Sequence, residues 1–109
     1  MEPRTRAELE KTLRGVNELH ASLDGTLDRS LTEPHIDANQ YVKQYNRYRN
    51  DLFSLLPNED VADILNEMPL YVYTGDDQID VANVKEWLVE VYLKTSQLMT
   101  YLQNQLELD

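Results

Sequence analysis

Residues 84–93 read Val-Lys-Glu-Trp-Leu-Val-Glu-Val-Tyr-Leu, and only Lys85, Glu86 and Glu90 among them are charged. Each helical step turns about 100°, so a helix here would aim its apolar side chains around nearly its whole circumference. The pattern continues through Leu98, Met99, Tyr101, Leu102 and Leu106. A helix with that much to hide sits at the centre of a bundle or is shared between chains. The run therefore points to packing and partnership and not to a reaction. Trp87, Val91, Tyr92, Leu98 and Tyr101 are the expected partner-binding residues, with Asp76 and Asp77 just before them as acidic contacts. A homodimer with this helix in its interface is expected, because monomers rarely leave such patches open. The competing expectation is that the connector at residues 70–73 folds across the helix and covers it within one chain.

The other elements read as helices too. Thr5-Arg6-Ala7-Glu8 has capping-box form, so a first helix is expected from Thr5. Leu9, Leu13, Val16, Leu19, Leu23 and Leu27 follow at spacings of three and four, one stripe. Gly15 and Gly25 should each weaken that helix by about 1 kcal/mol relative to alanine. Residues 30–35 read as a loop, with Pro34 forbidding continuation. Asp37 is the expected N-cap of a second helix, with Gln40 three residues on. Its stripe is Tyr41, Tyr45, Tyr48, Leu52 and Leu55, and Pro57 ends it. Asn58 should cap a short third helix that buries Val61, Ile64, Leu65 and Met68 and stops at Pro69. Leu70-Tyr71-Val72-Tyr73 is the only strand-like run. With nothing to pair with, it should be an extended connector packed on the bundle. Asp80 should cap the last helix, from about residue 81 to 106.

These elements predict an all-α fold, one domain over residues 1–109. It is a small up-down bundle of three longer helices and a short one, with the short helix and connector crossing one end. A chain of 109 residues can bury a modest core without staples. There are no cysteines, which removes disulfides and thiolate metal sites. Nothing resembles a signal peptide, and no run of about 18 apolar residues suggests a membrane span. A cytoplasmic protein without a membrane role is the expectation.

The net charge of −10 is unevenly placed. Residues 1–50 hold eight acids and eight bases, whereas residues 51–90 hold ten acids against Lys85 alone. Such a segment repels nucleic acid and anionic membranes and attracts a basic partner or a cation. The simpler reading is a solvated face that keeps a small protein soluble.

Chemical motifs are scarce. Three glycines, scattered at 15, 25 and 75, cannot build a phosphate-binding loop. A di-iron bundle needs Glu-x-x-His pairs, but Asn17 and Thr32 precede His20 and His35 by three. His20 and Asp24 lie one turn apart, yet a hydrogen-bonded, partly buried histidine is the simpler reading. Glu59, Asp63 and Glu67 stack at i, i+4 and i+8, and Glu86 and Glu90 make a second pair. Stacked carboxylates repel each other slightly unless a cation sits among them. All-α nucleotide pyrophosphatases hold magnesium with repeated Glu-x-x-Glu and Glu-x-x-Asp pairs, which this chain does not reproduce.

Tyr41, Tyr45 and Tyr48 interleave with Lys43, Arg47 and Arg49 in the manner of a nucleic-acid surface. They also share the stripe of Leu52 and Leu55, so a core role is expected and no direct nucleic-acid binding. Arg49-Asn50-Asp51-Leu52-Phe53 begins like the Arg-polar-x-x-x-His motif of some small helical-bundle ribonucleases. Ser54 stands where the histidine belongs, and without a general base that chemistry fails.

The expected function is a non-enzymatic interaction module, an acidic bundle that self-associates or docks on a protein partner, with no cofactor. The first alternative is a divalent-metal hydrolase using Glu59, Asp63, Glu67, Glu86 and Glu90. The second is an acidic decoy whose spaced carboxylates imitate phosphates and block a nucleic-acid-binding protein.

Overall fold

The computed structural model describes residues 1–29 and 36–108. These form four helices and no strand: α1 (Pro3–Arg29), α2 (Asn39–Leu55), α3 (Glu59–Ile64) and α4 (Asp77–Glu107). The loop expected at residues 30–35 lies outside the described residues. The fold is the expected small all-α bundle, 50 Å long because α4 alone runs 31 residues.

The chain runs up and down the bundle, with the third leg supplied by α3 and the segment after it. Thr26 meets Tyr41 while Gly15 meets Tyr48, so α2 runs antiparallel to α1. Arg6 reaches the Leu106 carbonyl while His20 meets Ser96, so α4 is antiparallel to α1 as well. Hence α2 and α4 point the same way, and the chain must return the length of α2 between them. Residues 65–76 make that return. They lie lengthwise as a strap along α2 and do not cross one end of the bundle, as the sequence suggested.

Helix starts moved for local reasons. Proline's fixed φ suits the first helical turn, so α1 begins at Pro3 and its first bond is Arg6 N–H to Glu2 O. Thr5 is therefore inside the helix and not its cap. α2 begins at Asn39 behind Ala38, which is wholly buried. Asp37 serves from one residue further out, its carboxylate accepting the Asn39 amide at 3.0 Å. Asn58 caps α3 as expected, accepting from the Val61 amide. α3 then ends at Ile64, well before Pro69, because the Arg49 guanidinium takes the Leu65 and Ala62 carbonyls at 2.7 and 3.3 Å. A cation on the last carbonyls satisfies groups that a helix end leaves unpaired. Asp76, and not Asp80, caps α4, accepting from Gln78 and Ile79.

The core follows the stripes. Leu9, Val16, Leu19 and Leu23 of α1 meet Val42, Tyr45 and Leu52 of α2 and Leu88, Val91, Leu98 and Leu102 of α4. Tyr41 keeps its hydroxyl paired by bonding Thr26 Oγ1 at 2.7 Å. Thr95 Oγ1 is the one buried side-chain polar atom among the described residues that meets no partner. Ile64 was expected inside and is 69% exposed, since α3 turns it outward while Leu65 and Met68 go in.

The two helical glycines are not equivalent. A Cβ on Gly25 would meet nothing, whereas one on Gly15 would lie 2.6 Å from the Tyr48 ring. Gly15 lets Tyr48 lie against the backbone of α1. Gly25→Ala should therefore raise stability by about 0.5–1 kcal/mol. Gly15→Ala should lose that gain, because Tyr48 must swing away from its stack with Arg47. Denaturant melts of the two variants check this, and equal gains would refute the close approach at Gly15.

Candidate functional site: the strap and the outer face of α4

Side chains of α2 and α4 hold the strap chiefly by its backbone. Asn46 donates to the Met68 carbonyl and accepts from the Met68 amide, both at 2.8 Å. Asn39 does the same for Tyr71 at 3.0 and 2.7 Å. The Tyr45 hydroxyl donates to Asn66 O and the Trp87 indole to Pro69 O. A buried main-chain amide must find a partner, and here side chains stand in for a neighbouring strand. Asn39 and Asn46 were missed in the sequence. Their seven-residue spacing puts them on one helix face, but nothing local says what they face.

A second anchor closes the far end of the strap. Asp80 Oδ1 accepts from the Tyr71 hydroxyl, the Thr74 amide and the Thr74 hydroxyl at 2.7–2.9 Å, and Oδ2 accepts from Gly75 N–H. Gly75 has φ +90°, a conformation that favours glycine. The Thr74 amide, followed by the Tyr71 hydroxyl, holds the Asp80 carboxyl below its ordinary 3.8. Burial pushes Tyr71 and Tyr73 upward, aided at Tyr71 by Asp80 and at Tyr73 by the Asp37 carboxylate. Burial also pushes Tyr45 up to about 12, against the opposing pull of Arg49.

Two pH windows follow. A depressed carboxyl adds stability above its unfolded value, lost as pH falls through the folded one. The melting temperature should therefore drop below about pH 4, and Asp80→Asn should flatten that limb. A raised tyrosine adds stability below pH 10, lost as pH rises toward about 12. Tyr45→Phe should flatten the alkaline limb. Thermal melts across both ranges check the pair, and an unchanged limb in either variant refutes that assignment.

The surplus apolar surface of α4 is covered on three flanks by three neighbours. His20 of α1 stacks on Tyr92 at 4.6 Å between centroids. Phe53 of α2 lies over Tyr101, and Tyr71 of the strap meets Trp87 edge-on at 5.5 Å. Ser96 Oγ spends its proton on the Tyr92 carbonyl, so His20 Nε2 donates to Ser96. Val91 and Leu98, expected at a partner interface, are wholly enclosed in this chain's own core. Trp87, Tyr92 and Tyr101 are half-buried, Asp76 is the cap of α4, and Asp77 is exposed.

What remains outside is Val89 and Leu93 on the outer face of α4, with Leu70, Val72 and Tyr73 on the strap and Ile64 and Ile79 nearby in sequence. Val72 is the extreme, 82% exposed.

No three His, Asp or Glu side chains among the described residues converge in a way that could hold an ion. Glu59 and Asp63 are exposed on α3. Glu67, Glu86 and Glu90 line a cleft of about 470 Å³ between the strap and α4, shared with Trp87 and Lys94. Glu67 accepts from Asn50, and the Lys94 ammonium sits on Asn66. A second cleft, about 510 Å³ between α1 and α2, mixes Lys11, Arg14 and Arg47 with Glu8, Glu18 and Asp51.

The tyrosines of α2 make no stacking platform, since Tyr41 and Tyr45 point inward and Arg49 is engaged with α3. No helix among the described residues is long and apolar enough to cross a membrane. The chain matches no protein-family model, no curated protein and no solved structure.

Proposed function

We propose that this protein is a non-enzymatic interaction module that docks on a basic protein partner. One observation carries the reading. Apart from Met1 and Leu108, every exposed large apolar side chain among the described residues lies between Ile64 and Leu93. That stretch overlaps residues 51–90, where ten acids face one base. Apolar contact supplies affinity, and the surrounding charge steers encounter and rejects acidic partners. Scattered exposed apolar residues need no explanation, but a concentration within one strongly charged segment does.

Capture from an extract of the native host, with and without surface changes, tests the reading. The parent should retain a basic protein. A Leu70→Ser, Val72→Ser, Leu93→Ser variant should melt like the parent, because these side chains are outside the core, and should lose that protein. Equal capture by both, or none by either, would sink the proposal. Self-association is the second reading, favoured by Val89 and Leu93 on the outer face of α4. Sedimentation settles it, since a mass of 12.8 kDa that does not change with concentration would end it.

A further inference from the structure

The cleft between α3 and α4 is lined by Val61, Ile64 and Leu65 on one wall and Gln97, Thr100 and Tyr101 on the other. It is a shallow, open depression of about 540 Å³, and no charged side chain lines it. Ile64 stands at its lip, exposed although its neighbours Leu65 and Met68 are in the core. The α4 wall runs from Ser96 to Asn104, about 12 Å at 1.5 Å per residue. That length accepts apolar anchors one or two helical turns apart. Leu93 lies one turn before Gln97, and Val89 one turn before Leu93, so they prolong the same track along α4. Both are exposed, Leu93 by 51%.

The two helices that form this track also carry exposed carboxylates, none of which lines the cleft itself. Glu59, Asp60 and Asp63 are exposed on α3, and Glu86 and Glu90 on α4. Of the bases on α4, Lys94 has its ammonium on Asn66 Oδ1 at 2.8 Å, and Lys85 is exposed one turn before Val89. The exposed carboxylates include four of those that the sequence grouped as metal ligands. Resting on the interaction-module reading, we infer that this cleft receives an amphipathic helix with apolar anchors on one face and lysine or arginine along its flanks. Helix-in-groove docking uses such i, i+3 and i+4 anchors, and the exposed carboxylates select the basic flanks. A second copy is disfavoured as occupant, because each chain carries a net −10 and would bring carboxylates to carboxylates.

The probe is an 18-residue labelled peptide with leucines on one helical face and lysines elsewhere. Its control is a scrambled peptide of equal composition without a leucine face. Fluorescence anisotropy with the full chain should show the amphipathic peptide binding at least tenfold more tightly than the control. Amide shifts should fall at residues 61–65 and 89–104. Ile64→Asp should weaken binding at least tenfold with the melting temperature unchanged, since Ile64 lies outside the core, and Gln97→Glu, from the opposite wall, should not lose the peptide's lysine contacts. Equal binding of the two peptides, or shifts located elsewhere, would overturn the site. A dimer that Ile64→Asp dissociates would overturn it in favour of a second copy. If the peptide fails while host capture still depends on Leu70 and Val72, the cleft falls and the module reading stands. If both fail, the module reading falls with it.

Discussion

Leu88→Ala should lower the unfolding free energy by about 3 kcal/mol, the largest single effect expected here. Leu88 is wholly buried in α4, where that helix meets α1 and α2. Truncation removes its transfer energy and leaves a cavity between long helices that cannot fully close around it. A domain of this size holds roughly 5–15 kcal/mol in total, so the loss is a large share. Val89, the next residue, is on the exposed face of α4. Val89→Ala should therefore change stability by no more than about 0.5 kcal/mol. Urea melts of the two variants measure the difference. A loss at Leu88 below about 1 kcal/mol, or an equal loss at Val89, would mean that α4 presents another face to the core.

Asn46→Ala should cost about 2 kcal/mol, although it removes no apolar contact. Its amide satisfies both the N–H and the carbonyl of Met68, whose side chain is buried in the core. Alanine leaves both backbone groups without a partner. Asn50→Ala, one turn further along α2, breaks only exposed bonds, one donated to Glu67 and one accepted from Arg49, and should have little effect. Hydrogen exchange gives the more direct reading. The Met68 amide should lose protection in Asn46→Ala and keep it in Asn50→Ala. Protection that survives the first substitution would show that something else holds the strap.

Much of the fold was legible because helix formation and amphipathicity are local. The stripes of α1 and α2 named most of their core residues, and Asn58 was read correctly as a cap. Errors came where two local signals competed. Thr5 and Asp80 have good capping chemistry, but Pro3 starts its helix earlier and Asp76 stands ahead of Asp80. Ile64 fits an apolar pattern, yet a helix of only six residues has no long face to enforce it. The candidate site was legible in part. The acidity of residues 51–90 and the surplus of α4 were plain, while Asn39, Asn46 and the α3–α4 cleft were not.

The sequence by itself determined that α4 has more apolar surface than one face can hide, because residue order and a turn of 100° per step set where each side chain points. Which of those residues are covered was decided only by the tertiary structure. Val91 and Leu98 are enclosed because α1 and α2 both lie against α4. Trp87 is covered because a parallel α2 and α4 force the chain to return between them, and that return places Pro69 and Tyr71 on the indole. Val89 and Leu93 stay open because none of the described elements passes over them. Coverage depends on neighbours distant in the chain, and periodicity within one helix carries no information about where those neighbours lie.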